Sequence, residues 1–306
     1  MNEFEKFIMN AIIFPGQGSQ YKGMGKSLYD AFPKAKENFI NIDKYAGLKV
    51  SEICFEGKDE DLKKTSLQQL VILAVSLVSY EIFKEKNIKI DFLSGLSLGE
   101  YTSLYPAGAL NMKDLVYLVK ERAIAMEEAS GMNPSCMFAV IGLEKDALCK
   151  KAKEYGFHIA NFNAPGQITV SLKNEDKDKI KNILEGNKAR VVELEVGGGF
   201  HSPFMEPAKQ HLSKVLDKLE FKNARIPIVS NFTGEATSDK DEVKRNLKEQ
   251  LTSSVLWKDC VEFMIKNSVD TFFEIGPAKV LRGLVRKINP DVKVVNIEKK
   301  EDLDSI

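Results

Sequence analysis

Histidine and cysteine are scarce in this chain, with three of the former and four of the latter in 306 residues, and each shortage removes chemistry. Cys54, Cys136, Cys149 and Cys260 are widely scattered, without a C-x-x-C pair or neighbouring histidine ligands. That spacing argues against a zinc site and against a disulfide framework, so no metal is expected and a reducing cytoplasm fits best. Neither sign of charge is in excess: 44 lysines and arginines balance 44 aspartates and glutamates, so no overall field favours nucleic acid or an anionic membrane. A charged partner must be recognised locally. Long apolar runs are also missing. The most hydrophobic stretch, residues 70–78, is about half the length needed to span a bilayer. It is bounded by Gln68, Gln69 and Glu81 and reads as a buried helix. The N-terminal MNEFEKF is acidic and leads only into the short apolar run 11–14, which is not the form of a signal peptide.

What the chain does contain is strands alternating with helices. Residues 11–14 read as a buried strand running into the loop 15–20, followed by helical spacing over 24–39. A core helix over 67–84, a strand over 90–94 and an amphipathic helix over 115–129 continue an α/β pattern, which implies a parallel sheet covered on both faces. Between 136 and 196 the order becomes β-α-β-β-α-β, with strands at 137–141, 158–161, 168–171 and 190–196 and helices at 144–155 and 175–185. That is the ferredoxin-like arrangement, complete enough to fold as an inserted subdomain over 134–199. The host subdomain then takes 11–133 and 200–298. Its second part holds helices from Pro207 and Asp239, strands at 226–230 and 271–275, and a final helix through the basic stretch 282–287.

Gly95-Leu96-Ser97-Leu98-Gly99 lies between the strand at 90–94 and the helix-like stretch from Glu100, as a nucleophile elbow would. In such a turn the hydroxyl of Ser97 is pushed out of the sheet, and the backbone N–H of Leu98 at a helix start can face a developing oxyanion. A plain glycine-lined turn is the other reading. The loop after the first strand fits neither phosphate fingerprint: a dinucleotide motif would need glycine at Tyr21, and a Walker A ending at Ser27 would need glycine at Gln20. It remains a glycine-rich turn at the ligand-binding edge of an α/β sheet, where Gln17 could supply a second oxyanion N–H.

A serine nucleophile needs a base, and three histidines can be enumerated. His211 falls on a helix face and His158 in a strand of the insertion; His201 follows three glycines and precedes Ser202-Pro203, which predicts a loop presenting its side chain. Arg122 and Met126 share a helix face. The arginine is either solvated or, if it points inward, a bidentate clamp for a carboxylate.

Seven ordered segments carry a resemblance. They are FPGQGSQ at 14–20 with GMG at 23–25, G-x-S-x-G-E at 95–100, the Arg122/Met126 pair, NFNAPGQ at 161–167, FHSPFM at 200–205, SNFTG at 230–234 and EIGPAKVLRGLV at 274–285. Together they resemble the malonyl-CoA:acyl carrier protein transacylase family, and also acyltransferase domains of polyketide synthases, over residues 12–288. The resemblance implies an α/β fold with a hydrolase-like parallel-sheet core and an inserted ferredoxin-like subdomain, with Ser97 as acyl-accepting nucleophile and His201 as its base. It implies Gln17 and Leu98 as oxyanion donors, and Gln250 orienting His201 through its side-chain carbonyl. Arg122, with Met126, would receive the malonyl carboxylate, and Asn161 and Asn163 match positions near the cleft between subdomains. Malonyl-CoA and acyl carrier protein would be the substrates of a ping-pong transfer with no metal or redox cofactor, no nucleic acid and no membrane, in a monomer.

Two positions depart from the family pattern. Leu96 stands where histidine is common, at a position that lines the acyl pocket, whereas Phe200 matches the malonyl-type signature. Ala278 replaces a frequent glycine and is expected to alter packing alone. An acyl hydrolase or thioester-editing enzyme on the same scaffold is the main alternative. Arg122 discriminates, since a buried guanidinium gives an uncharged acyl chain nothing. A catalytically silent carrier-docking module is a further alternative, disfavoured by the retained serine, histidine and arginine.

Overall fold

The structure, a computed structural model, describes residues 9–304 and 306, so the MNEFEKF segment lies outside the described residues. In chain order the strands are β1 (Met9–Phe14), β2 (Phe92–Gly95), β3 (Ser135–Ile141), β4 (His158–Ala164) and β5 (Gln167–Lys173). They continue with β6 (Arg190–Glu193), β7 (Ile228–Val229), β8 (Ala236–Thr237), β9 (Val269–Ile275) and β10 (Lys293–Ile297). The larger sheet has the order β10-β9-β1-β2-β7-β8 and is parallel up to β7, with β8 turning back antiparallel at the edge.

Alternation along β1 explains why this sheet is covered twice. Ile12 and Phe14 join one buried cluster with the helix Thr65–Phe83, while Ala11 and Ile13 join another with Trp257, Val261 and Leu281. Each large apolar side chain buried this way contributes about 1.5–3 kcal/mol. The helix Thr65–Phe83 is longer than its apolar run suggests. Together with the turn that follows it is long and apolar enough to cross a membrane, yet 83% of that window is buried inside the protein.

The smaller sheet has the order β4-β5-β3-β6 and every pairing in it is antiparallel. Helices Lys145–Tyr155 and Lys177–Gly186 close its core, where Phe138, Val170, Leu148, Ile180 and Leu184 meet. The chain thus has the mixed α/β architecture expected from its pattern, a parallel core sheet with a separate antiparallel one. Main-chain bonds stitch β4 to the segment before the helix Trp257–Lys266: Phe162 N–H donates to the Val255 carbonyl at 2.9 Å, and Val255 N–H to the Ala160 carbonyl at 2.8 Å.

Several boundaries differ from the sequence reading. The single helix expected over 24–39 is two, Lys26–Ala31 and Pro33–Ala46, because Pro33 forces Phe32 into an extended conformation and restarts the helix at its first position. The strand expected over 226–230 shrinks to β7, and β8, β10 and the helix Trp257–Lys266 lacked a reading. Ala278 is more than a packing variant: its φ of 65° is left-handed, a conformation that glycine adopts without the Cβ penalty.

Candidate active site

Phe14 and Gly95 are paired neighbours at the C-terminal ends of β1 and β2, so the two glycine-rich loops leave the sheet side by side. Their contact is backbone on backbone. A Cβ on Gly16 would lie 2.5 Å from the Leu96 carbonyl oxygen, and one on Gly99 would lie 2.0 Å from that of Phe14. The elbow therefore tolerates no side chain at these positions. At its apex Ser97 is held at φ 53°, a left-handed conformation uncommon for any residue but glycine and typical of strain kept at a functional turn. Asn231 fastens the turn, accepting the Ser97 N–H on Oδ1 at 2.7 Å and donating from Nδ2 to the Gly95 carbonyl at 2.9 Å. The helix Leu98–Thr102 starts immediately afterwards. Among the described residues, neither the Gln17 nor the Leu98 backbone N–H donates to another group.

His201 arrives from the loop after β6, also at positive φ (55°). Its Nε2 lies 2.7 Å from Ser97 Oγ and its Nδ1 lies 2.9 Å from the backbone carbonyl of Gln250. A carbonyl only accepts, so Nδ1 carries the proton and Nε2 is left to take the serine hydroxyl's. Burial pushes the imidazole down to about 4, opposed by the Gln250 carbonyl and reinforced by the Arg122 charge. At neutral pH it is an unprotonated base.

Gln250 is thus brought to the histidine, but by its main chain. The expected side-chain contact is corrected. Its side-chain Nε2 donates to the Ser97 carbonyl at 3.1 Å and to Glu100 Oε2 at 2.7 Å, and its Oε1 accepts from Arg122 at 3.3 Å. The residue is buried at the end of the helix Lys240–Gln250, whose mainly charged sequence hides the fact that its last residue turns inward.

Arg122 is fully buried within the helix Met112–Met132, which rules out the solvated reading. Nη1 donates to Gln69 Oε1 at 2.6 Å, Nη2 donates to Ser97 Oγ at 2.9 Å, and the guanidinium carbon sits 4.6 Å above the Tyr101 ring. Among the described residues it makes no ion pair, and its Nε has no hydrogen-bond partner. Desolvation pushes its pKa down, opposed by Tyr101 and Glu100. Met126 lies one turn on with its sulfur 3.3 Å from Gln69 Nε2, so it packs against the group that holds Arg122.

Ser97 and His201 open onto a cleft of about 220 Å³ between the two sheets. Leu96, Phe200, Asn161, Asn163 and Gln17 line it together with Met137 and Leu284. Asn163 donates to Thr169 Oγ1 at 3.0 Å, while its own Oδ1 is unpartnered. The other two histidines stay away from the serine: His158 stacks edge-on against Phe204, and His211 pairs with Glu121 on the surface. Sequence reasoning gave no role to Gln69, Glu100, Tyr101 or Asn231. Glu100 and Asn231 lie inside quoted motifs, and Gln69 interrupts an apolar helix as a buried polar residue, the one signal that could have drawn attention to it.

Comparison with known proteins agrees with this geometry. Residues 11–299 match the acyl transferase domain family. The malonyl CoA-acyl carrier protein transacylase of Bacillus subtilis (strain 168) is 40% identical over 300 residues, covering 96% of this chain and 95% of that protein. Its counterpart in Staphylococcus aureus (strain MW2) is 37% identical over 302 residues, covering 96% of each. Among solved structures, the malonyl CoA-acyl carrier protein transacylase of Clostridium perfringens ATCC 13124 superimposes with a TM-score of 0.92 at 34% identity, over 97% of this chain and 95% of that one. A malonyl-transacylase in complex with its type II polyketide synthase acyl-carrier protein superimposes with a TM-score of 0.93 at 30% identity, over 97% and 98%.

Proposed function

The chain belongs to the acyl transferase domain family, and from that premise we propose that it moves malonyl from malonyl-CoA to the phosphopantetheine thiol of acyl carrier protein, in fatty-acid or polyketide synthesis. Ser97 Oγ attacks the thioester carbonyl while His201 Nε2 takes its proton, and the Gln17 and Leu98 N–H groups receive the charge on the carbonyl oxygen. Collapse of the tetrahedral intermediate expels coenzyme A, whose sulfur takes the proton back from His201. A malonyl-Ser97 ester remains. The carrier's thiol then gives its proton to His201 and attacks that ester, restoring the serine hydroxyl.

The observation that carries the choice of malonyl is the buried Arg122 guanidinium, 2.9 Å from Ser97 Oγ and without a carboxylate of its own. A malonyl ester on Ser97 ends in a carboxylate only one methylene beyond its carbonyl carbon, within reach of a group so close to Oγ. Among the described residues no carboxylate lies within ion-pair distance of it, the nearby Glu100 being bonded to Asn231 and Gln250 instead, and the acyl group supplies a direct counter-charge. Holding the carboxylate also fixes the ester for the incoming thiol. Exchange of one thioester for another calls for a nucleophile, a base and oxyanion donors, so the reading includes no metal or redox cofactor. It also includes a cytoplasmic monomer that acts without nucleic acid or membrane.

Intact mass spectrometry after incubation with malonyl-CoA tests it. The chain should gain a malonyl adduct that passes to carrier protein, and Ser97→Ala should gain none. Rapid release of free malonate without transfer would instead establish a hydrolase.

A further inference from the structure

Glu100 has no part in the chemistry above, yet its side chain is buried beneath the elbow and bonds two residues that hold the catalytic pair, with the Ser230 hydroxyl beside it. It stands in the first turn of the helix Leu98–Thr102. One oxygen, Oε2, accepts two hydrogen bonds: from the Asn231 backbone N–H at 3.0 Å and from Gln250 Nε2 at 2.7 Å. These donors come from parts of the chain 131 and 150 residues away. Each in turn grips the catalytic pair. Asn231 Oδ1 holds the Ser97 N–H and its Nδ2 the Gly95 carbonyl, while Gln250 bonds the Ser97 carbonyl through its side chain and His201 Nδ1 through its main chain.

We propose that Glu100 is a positioning residue whose carboxylate ties Asn231 to Gln250, so that one buried acceptor sets the distance between Ser97 Oγ and His201 Nε2. Ser97 and His201 come from separate segments, a turn of the core sheet and a loop after the insertion. Nothing in the local sequence of either fixes their separation. The Glu100 junction does, because it restrains the turn from the Asn231 side and the histidine's carbonyl partner from the Gln250 side. Its own bonds go to neither Ser97 Oγ nor the imidazole, so it reaches the catalytic pair through Asn231 and Gln250.

The role rests on Ser97 being the nucleophile, and the test separates the two. Labelling of Ser97 by a small sulfonyl fluoride needs the serine and histidine aligned but does not need malonyl: Oγ attacks sulfur, fluoride leaves, and His201 takes the proton. The rate of labelling, followed by intact mass, is compared with the rate of malonyl transfer for the unsubstituted chain, Glu100→Ala and Glu100→Gln. Glutamine presents a carbonyl oxygen that can accept both N–H groups, and its amide faces the Ser230 hydroxyl beside the carboxylate. Misplacement by about 1 Å costs roughly 10²-fold, so Glu100→Ala is expected to slow labelling and kcat together by about that factor with KM for malonyl-CoA little changed. Glu100→Gln is expected to restore both to within about threefold of the unsubstituted chain. Equal labelling rates for a folded Glu100→Ala and the unsubstituted chain overturn the proposal, as does a Glu100→Gln variant that folds but is as slow as the alanine. Failure of the unsubstituted chain to label at Ser97 overturns this role and the nucleophile assignment together.

Discussion

Replacing Arg122 with alanine removes a guanidinium that touches Gln69, Ser97 and Gln250 and, in the proposed reaction, the acyl carboxylate. Two charge-assisted hydrogen bonds to that carboxylate are worth about 1.5–3 kcal/mol each, or roughly 3–6 kcal/mol gross. Before they form, the guanidinium must give up its bonds to Ser97 Oγ and Gln250 Oε1, which offsets about half. The remainder, roughly 1.5–3 kcal/mol, corresponds to about 10- to 10²-fold in kcat/KM for malonyl-CoA. An acetyl group never made these contacts, so its rate should change only slightly and the malonyl-to-acetyl selectivity should fall by about 10- to 10²-fold. Quenched-flow measurement of Ser97 acylation with the two thioesters gives that ratio directly. Loss of the guanidinium also strips Gln69 Oε1 of a donor, so melting temperature is recorded alongside, and Arg122→Lys serves as a control that keeps the charge but lacks the planar fork. An Arg122→Ala chain that folds normally and keeps its selectivity to within about threefold would refute the clamp.

Three further outcomes are expected. Because His201 titrates near 4 in the fold against an ordinary 6.5, acylation should rise with pH through about 4 and stay flat above it. The same depression makes the unfolded chain bind more protons between these values, so this contribution to stability is complete above 6.5 and declines by about 3 kcal/mol as pH falls to 4, measurable by urea melts of His201→Asn beside the unsubstituted chain. Gln250→Ala keeps the backbone carbonyl that holds His201 but breaks the side-chain bonds to Glu100 and the Ser97 carbonyl, so kcat should fall by about 10²-fold, as for Glu100→Ala, and a loss as large as that of His201→Ala would show that the side chain itself orients the base. Gly99→Ala forces a Cβ to within 2.0 Å of the Phe14 carbonyl and should cost about 3 kcal/mol in chemical denaturation.

Sequence periodicity carried most of the fold because both sheets announce themselves by alternation. β1 shows four consecutive apolar residues, and the insertion repeats short strands around two amphipathic helices. What escaped were features set by single residues or by edges: Pro33 splitting a helix, and two-residue strands such as β8 that exist only through their neighbour. In the site, Ser97 was legible because its glycines record backbone collisions, and His201 because so few histidines compete. Gln250's mode of action was not, since a main-chain carbonyl has no residue type and leaves no trace in the sequence. Glu100, Asn231 and Gln69 are polar residues whose importance lies in being buried, and burial of an isolated polar residue is decided by elements far along the chain.

The stitch between Ala160, Phe162 and Val255 bears on how substrates enter. It joins the antiparallel sheet to the core sheet's subdomain five residues beyond Gln250, on the same stretch of chain that holds the base in place. Swinging the insertion outward would tear those main-chain bonds and pull on the histidine's support at once. Any widening of the space between the sheets at this point therefore also strains the support of the catalytic base.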